Sequence, residues 1–435
     1  MILKALLLVY LIQCVTSKHS KGRLYRSCNG DEDEKLTNDE RPFVWLSSST
    51  EETEYSALTC KQFGLSYICT STVNCDVETV GCSDVVICAA PKARPLLPST
   101  PANFLQVVSY NVLELDYEYS VPIFNIPPSY QYTGQRERTC RIPLEILKNI
   151  RRVDVIVFQE LAMGGCFPGK LDFRDLLKYY GFKYVTPNVG IAEEAENFLI
   201  FENGGTFIAS RWPIAYYEDY IFNNTDPTTF DPFSSKGIMY AHVMKTVHNR
   251  TLPYHVFGTH MQAQVGDSRQ AIRELQATEF ENFISRRNIP STEAVIMAGD
   301  FNADLNNFQD HAERVLENMG AILPRRVGRV RTTFDPLTND LNRLVNEPQE
   351  QWIDYVVLSS AHKSNAKSLL SVFKPKTKPL NICVNATTGG YVSATSPDCL
   401  GSLVITDLSD HFGLVGRFYF PDPPKKGHKK RKNSY

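Results

Sequence analysis

The sequence predicts an α/β domain of two packed sheets, preceded by a small disulfide-rich module. Three observations carry this. From Phe104 to Phe420, short runs rich in β-branched residues alternate with amphipathic segments. Six of the eleven cysteines crowd into residues 28–88, and a proline-rich stretch, 91–103, separates them from the main domain. Of the 435 residues, 43% are hydrophobic and 22% charged, a balance that excludes a collagen-like or mostly disordered chain.

The N-terminal elements come first. Residues 1–17 combine Lys4, an apolar run from Ala5 to Val15 and a small-residue end, Val15-Thr16-Ser17, so they read as a secretory signal peptide. Secretion is the expectation, and no later stretch reaches the roughly 18 apolar residues of a membrane span. Residues 18–90 form the module of Cys28, Cys60, Cys69, Cys75, Cys82 and Cys88. Its apolar content is thin, and it has neither His nor a Cys-x-x-Cys pair in its cysteine window, so disulfides are expected there rather than a metal. Beyond the leader's Cys14, two local pairs remain, Cys140 with Cys166 and Cys383 with Cys399. Sequons at Asn223, Asn249 and Asn385 fit glycosylation of a secreted protein.

In the main domain, 104–420, strands are expected at Phe104–Val112, Val153–Glu160, Gly205–Arg211, His255–His260, Ala294–Asn302, Trp352–Leu358 and Phe412–Phe420. The clearest helix is Arg269–Arg287, where Ile272, Leu275, Phe280, Phe283 and Ile284 recur at helical spacing. Shorter helices are expected at Pro143–Arg151, Phe173–Tyr180 and Asp310–Met319. Residues 421–435 are a basic tail with six Lys/Arg. Setting aside those six and Lys4, the body holds 39 basic against 48 acidic residues, which argues against a stable nucleic-acid complex. The same tail could hold anionic lipid, and Tyr216, Tyr217, Tyr220, Phe222, Phe230 and Phe233 form either a membrane-touching aromatic surface or core.

Polar residues gather where strands end. The first reaches Asn111 and the next Gln159-Glu160; others end at His260 and at Asp300-Phe301-Asn302, with Asp354 and Asp410-His411 beside the last two. One such ending is usually a turn. Six together supply one Glu, several Asp and Asn and two His, a set suited to a hard divalent ion flanked by paired imidazoles. Magnesium is expected, or another divalent cation such as manganese or cobalt.

The ordered motifs SYN, FQE, GTFIASRWPI, GTH, GDFN, IDY and SDH resemble the endonuclease/exonuclease/phosphatase superfamily over the whole main domain. The resemblance implies a four-layer α/β/β/α sandwich, as in the pancreatic deoxyribonucleases, with a divalent ion in the cleft. It implies Glu160, Asn111, Asp300 and Asn302 at the metal and phosphate, and His260 and His411 as catalytic imidazoles. Asp410 would orient His411, and Asp354 would stand near His260. The GTHMQA stretch with Gln262-Ala263, the Ser268-Arg269 helix, Ser235-Lys236-Gly237 and the Thr333-to-Asn339 loop resemble the bacterial-type neutral sphingomyelinases. That subgroup implies hydrolysis of sphingomyelin to ceramide and phosphocholine, on membranes or lipoproteins, with peripheral membrane contact. Gln262 and Lys236 join Asn111 and Asn302 as substrate-binding candidates. The cysteine-rich module has no counterpart in the compact bacterial enzymes, and its partner is not specified by the sequence.

Such chemistry needs more than acid–base groups. On the hardest phosphate esters, enzymes lower barriers by on the order of 20 kcal/mol. One general acid or base supplies about 10²–10⁴-fold, or roughly 3–5 kcal/mol. The remainder must come from charge stabilisation at the phosphoryl group. In this reading His411 assists the attacking water beside Asp300, while His260 stabilises phosphoryl oxygens or protonates the leaving alkoxide. Two alternatives are a secreted deoxyribonuclease, favoured by GDFNA alone, and a non-catalytic binding protein, disfavoured by the complete polar set.

Overall fold

Alternation along each strand sends one set of side chains between two sheets and the other toward helices, which a computed structural model shows directly. It describes residues 58–63, 66–71, 86–89, 100–114, 130–131, 133–139, 141–161, 173–191, 202–229, 231–344, 349–387, 392 and 394–422. The expected signal peptide, Cys28, Cys75, Cys82, Cys140, Cys166, Phe230 and the tail beyond Asp422 lie outside the described residues. The chain divides into two compact units, Met1–Lys92 and Ala93–Tyr435. In the first, β1 (Leu58–Phe63), β2 (Ser66–Ser71) and β3 (Val86–Ala89) form an antiparallel sheet that sets Cys60 opposite Cys69.

The second unit begins with β4 (Phe104–Glu114), β5 (Tyr130–Gln131), α1 (Gln135–Thr139), α2 (Ile142–Asn149), β6 (Val155–Leu161) and α3 (Phe173–Tyr179). Next come β7 (Tyr184–Val185), β8 (Glu202–Asn203), β9 (Phe207–Ser210), β10 (Ile214–Ile221), β11 (Ser234–Ser235), β12 (Gly237–Val247) and β13 (Arg250–His260). After α4 (Asp267–Ser285) stand β14 (Ala294–Asp300), α5 (Gln309–Asn318), β15 (Ala321–Ile322), β16 (Arg325–Arg326) and β17 (Asp354–Ser359). The last strands are β18 (Lys367–Phe373), β19 (Lys376–Ala386), β20 (Cys399–Asp407) and β21 (Gly413–Tyr419).

One sheet has the order β16-β18-β21-β4-β6-β9-β7 and the other β10-β12-β13-β14-β17-β15. Leu105, Val107, Val155, Val157 and Ile208 meet Val256, Ile296, Ala298 and Val356 in the core between them. Val108, Tyr110, Ile156 and Phe158 point the other way, onto Ile142 and Ile146 of α2 and Phe173 and Leu177 of α3. Across the second sheet, Phe257 packs against Phe280 and Phe283 of α4. The layers are therefore helix, sheet, sheet, helix. Gly258 permits the close approach of the sheets, since a Cβ there would sit 2.5 Å from Val157 Cγ1. No helix among the described residues is long and apolar enough to cross a membrane.

The structure departs from the predicted helix face at one place. Leu275 is exposed, and the buried side of α4 begins with Arg273, Gln276 and Ala277 before Phe280, Phe283 and Ile284. The polar pair is buried because it serves the loop after β13. Arg273 Nη1 donates to the carbonyls of Gln262 and Gln264, both at 2.9 Å, and Gln276 Oε1 accepts from Gln262 N at 2.8 Å. The aromatic cluster also divides. Tyr216 and Tyr217 are half exposed on edge strand β10, Phe222 is buried, and Tyr220 packs on Phe283. Cys383 and Cys399 form a disulfide joining β19 and β20, with Cα atoms 5.8 Å apart.

Candidate active site

Strand register assembles the cleft. His260 of β13 lies opposite Asp300 of β14, and Asp300 opposite Asp354 of β17. Register partners share a face, so these three side chains form one row at the end of the inner face. From the other sheet, Asn111 continues the inward positions of β4. Glu160 comes after Gln159 and would point outward by simple alternation. Its φ of 55° re-aims the chain there, and Gly205 lies against its backbone, where a Cβ would stand 3.0 Å from the Glu160 Cα. Asn302, with φ 51°, turns the chain just after β14.

Asp300 is the hub. Its Oδ2 accepts from Asn111 Nδ2 at 3.2 Å and lies 3.7 Å from His260 Nε2 and 3.8 Å from His411 Nε2. Its Oδ1 accepts from Asn302 N at 2.9 Å. Asn111 Nδ2 also donates to Glu160 Oε1 at 2.8 Å, and that oxygen is 3.8 Å from His260 Nε2. Asn302 Nδ2 donates to the carbonyl of Met261, at 3.1 Å. Lys236 Nζ stands 3.3 Å from His260 Nε2 and is held by Asp231 Oδ1 at 3.0 Å. All of these except Glu160 and Asn302 are buried.

Two expected partnerships change. His411 Nδ1 is 2.9 Å from Asp354 Oδ2, so Asp354 orients His411, not Asp410, and Asp354 is not the partner of His260. Asp410 Oδ1 accepts instead from Ser409 Oγ at 3.1 Å. Gln262 is fully buried, and its Oε1 accepts from Asp226 N at 2.8 Å, so its amide anchors the 226–229 loop and does not face the cleft. Of the sequons, Asn223 and Asn249 are exposed, whereas Asn385 lies within β19 with its Oδ1 buried.

Sequence reasoning missed the supports. Arg138 of α1 is fully buried and donates to the carbonyls of Val112, Leu113 and Leu408, clipping the end of β4 to the segment carrying His411. Its guanidinium lies 3.6 Å from buried Glu114. Thr333 Oγ1 accepts from Asp354 N at 3.2 Å, and Phe334 sets its ring edge-on to His411. A charged five-residue helix carries no apolar period, so nothing in the pattern marks Arg138 as buried.

The electrostatics follow from crowding. Burial, and then the charge of Asp410, push Glu160 up to about 7. Burial and Asp354 push Asp300 up to about 6. For His411, burial opposes protonation, but Asp354, Asp410 and Asp300 outweigh it and hold its pKa well above the usual range. Burial, with Lys236 and His411, keeps His260 well below it. Glu160, His260 and Asp300 each offer a ligand atom within 4.8 Å of the others. Carboxylates held together with raised pKa values are a donor set that a divalent cation fits, because its charge relieves the repulsion and satisfies the oxygens.

Paired imidazoles, a central aspartate and an asparagine-held glutamate on a four-layer sandwich define a class. The chain belongs to the Endonuclease/Exonuclease/phosphatase family, whose profile it matches over residues 108–411. It is similar to sphingomyelinase C 2 of Leptospira interrogans, with 30% identity over 343 residues, 75% of this chain and 48% of that protein. Sphingomyelinase C of Listeria ivanovii is 31% identical over 276 residues, covering 60% of this chain and 74% of that one. Among solved structures, a Staphylococcus aureus beta toxin with bound magnesium ions superposes with a TM-score of 0.57 at 25% identity, covering 73% of this chain and 99% of the toxin. The chain spans about half the length of the Leptospira relatives it matches.

Proposed function

We propose that the protein is a secreted, divalent-cation-dependent phosphodiesterase that hydrolyses sphingomyelin to ceramide and phosphocholine at a membrane or lipoprotein surface. The observation that carries this is the meeting of Asn111, Glu160, His260, Asp300, Asp354 and His411 in one cleft, in a chain similar to sphingomyelinase C proteins. Glu160 and Asp300 would hold the cation, magnesium by analogy with the beta toxin. A bound dication supplies charge for the phosphoryl oxygens and offsets the carboxylate field around the cleft.

The protein groups divide the remaining work. Asp354 accepts a hydrogen bond from Nδ1–H of His411 and so orients the ring with Nε2 beside Asp300. His411 Nε2 then exchanges a proton with the attacking water, and Asp300, held by Asn111 and the Asn302 N–H, positions that water. His260 and Lys236 lie together on the other side of Asp300 and stabilise the phosphoryl oxygens. Burial, and then Lys236 and His411, keep His260 neutral, so its ring accepts or relays a proton without adding another buried cation.

The test is phosphocholine release from sphingomyelin vesicles, with magnesium and with chelator, beside plasmid DNA in the same buffer. Magnesium-dependent release with intact DNA is expected. Cut DNA with intact lipid would replace this reading with a deoxyribonuclease, and activity on neither would favour a binding protein.

A further inference from the structure

On the outer face of the six-stranded sheet, away from the cleft, His242 of β12 and His255 of β13 are register partners. Their rings stack with centroids 4.6 Å apart and planes 11° from parallel. Glu293, one residue before β14, brings Oε2 within 2.7 Å of His255 Nε2. One ligand atom from each of the three lies within 4.8 Å of the other two. His255 is 4% exposed and is fixed from behind, its Nδ1 standing 2.7 Å from the hydroxyl of Tyr240. One ring nitrogen is thus held by a supporting hydroxyl, as in a ligating histidine, while Nε2 is bonded to Glu293, the carboxylate that would share an ion with it. His242 Nε2 is buried and, among the described residues, has no hydrogen-bond partner. A buried imidazole nitrogen left without a partner calls for a group to satisfy it.

We infer that His242, His255 and Glu293 form a second, non-catalytic metal site that takes a borderline dication of the zinc class. Two imidazoles and one carboxylate are a zinc-type donor set, unlike the oxygen-rich carboxylates and amides at Glu160 and Asp300. The remaining position opens at Glu293, whose side chain is 28% exposed, which gives the ion a path from solvent. His255 lies five residues before His260 on the same strand, about 17 Å at strand spacing, and faces the opposite way. An ion there joins β12, β13 and the turn entering β14, so its effect is on stability and not on the reacting atoms. The site does not depend on the phosphodiesterase reading.

The experiment uses the full chain carrying Glu160→Gln and Asp300→Asn, so that the cleft no longer competes for zinc. Equilibrium dialysis against zinc chloride in excess magnesium is expected to give one tightly held zinc per chain. Adding His242→Gln and Glu293→Gln should weaken it by more than about 100-fold, the upper end for losing a mere supporting group. No tightly held zinc in the first variant, or undiminished zinc in the second, overturns the site. Cobalt(II) gives a reading that needs no substitution at the site itself. An intense visible absorption of tetrahedral type, bleached by zinc, is expected in the first variant, and a weak octahedral-type spectrum overturns the assignment.

Discussion

Asp354→Asn keeps the shape of the side chain but removes the charge that holds the Nδ1 proton of His411. Turnover on sphingomyelin vesicles is expected to fall by about 10²–10⁴-fold, the range one general acid or base supplies, with KM little changed. Asp410→Asn should cost less than about tenfold, because that carboxylate accepts from Ser409 and does not reach the ring. Steady-state kinetics of the two variants decides the matter, and equal losses would return the orienting role to Asp410. At this scale the sequence shows Asn111, Glu160, His260, Asp300, Asn302 and His411, because each stands at the end of an apolar run and has no packing reason to be there. It does not show which carboxylate faces which imidazole. Asp354 and His411 are 57 residues apart in the chain, and their meeting depends on the two sheets facing each other, since β17 belongs to one and the segment before β21 leads into the other. Nor does it show that Gln262 is buried, since a glutamine beside a catalytic histidine reads equally as a ligand or a brace.

Elements succeed or fail according to how apolar their two faces are. The strands buried on both sides, β4, β6, β13, β14, β17 and β21, read directly as β-branched runs. Edge strand β10 escapes the pattern because tyrosines and carboxylates cover its exposed side, and β18 to β20 escape it because polar residues interrupt their alternation. Helix α1 is equally hidden, since its five residues include two arginines and a glutamate. Its importance lies in Arg138, which joins β4 to the segment before His411. Arg138→Leu removes that clip and leaves Glu114 buried without its cation, so stability should fall by about 3–5 kcal/mol. Urea unfolding measures this directly, and a change below about 1 kcal/mol would mean that the Leu408 and Val112 carbonyls find other donors.

For the whole molecule, the crowded carboxylates link stability to pH and to magnesium. Glu160 and Asp300 have raised pKa values in the folded chain, about 7 and about 6, and His411 is raised as well. Groups raised on folding bind protons more tightly in the native state, so their contribution is complete below the unfolded pKa and is lost as pH rises through the folded one. His260 works the other way, but its unfolded form takes up a proton only below about 6.5. In chelator, the melting temperature should therefore fall between pH 6.5 and 8. Magnesium should restore it most at pH 8, where the carboxylates are ionised. Scanning calorimetry at both pH values checks this, and a magnesium effect that does not grow with pH would remove these carboxylates as its ligands. The order of the seven-stranded sheet has a further consequence. Its last strand among the described residues, β21, lies between β18 and β4 in the middle of the sheet, not at an edge, and Ser409 just before it grips the Asn111 carbonyl across 298 residues. A growing chain thus has neither a complete sheet nor an assembled cleft until β21 emerges. Synthesis itself acts as the safety catch, and no nascent chain short of β21 can assemble the cleft.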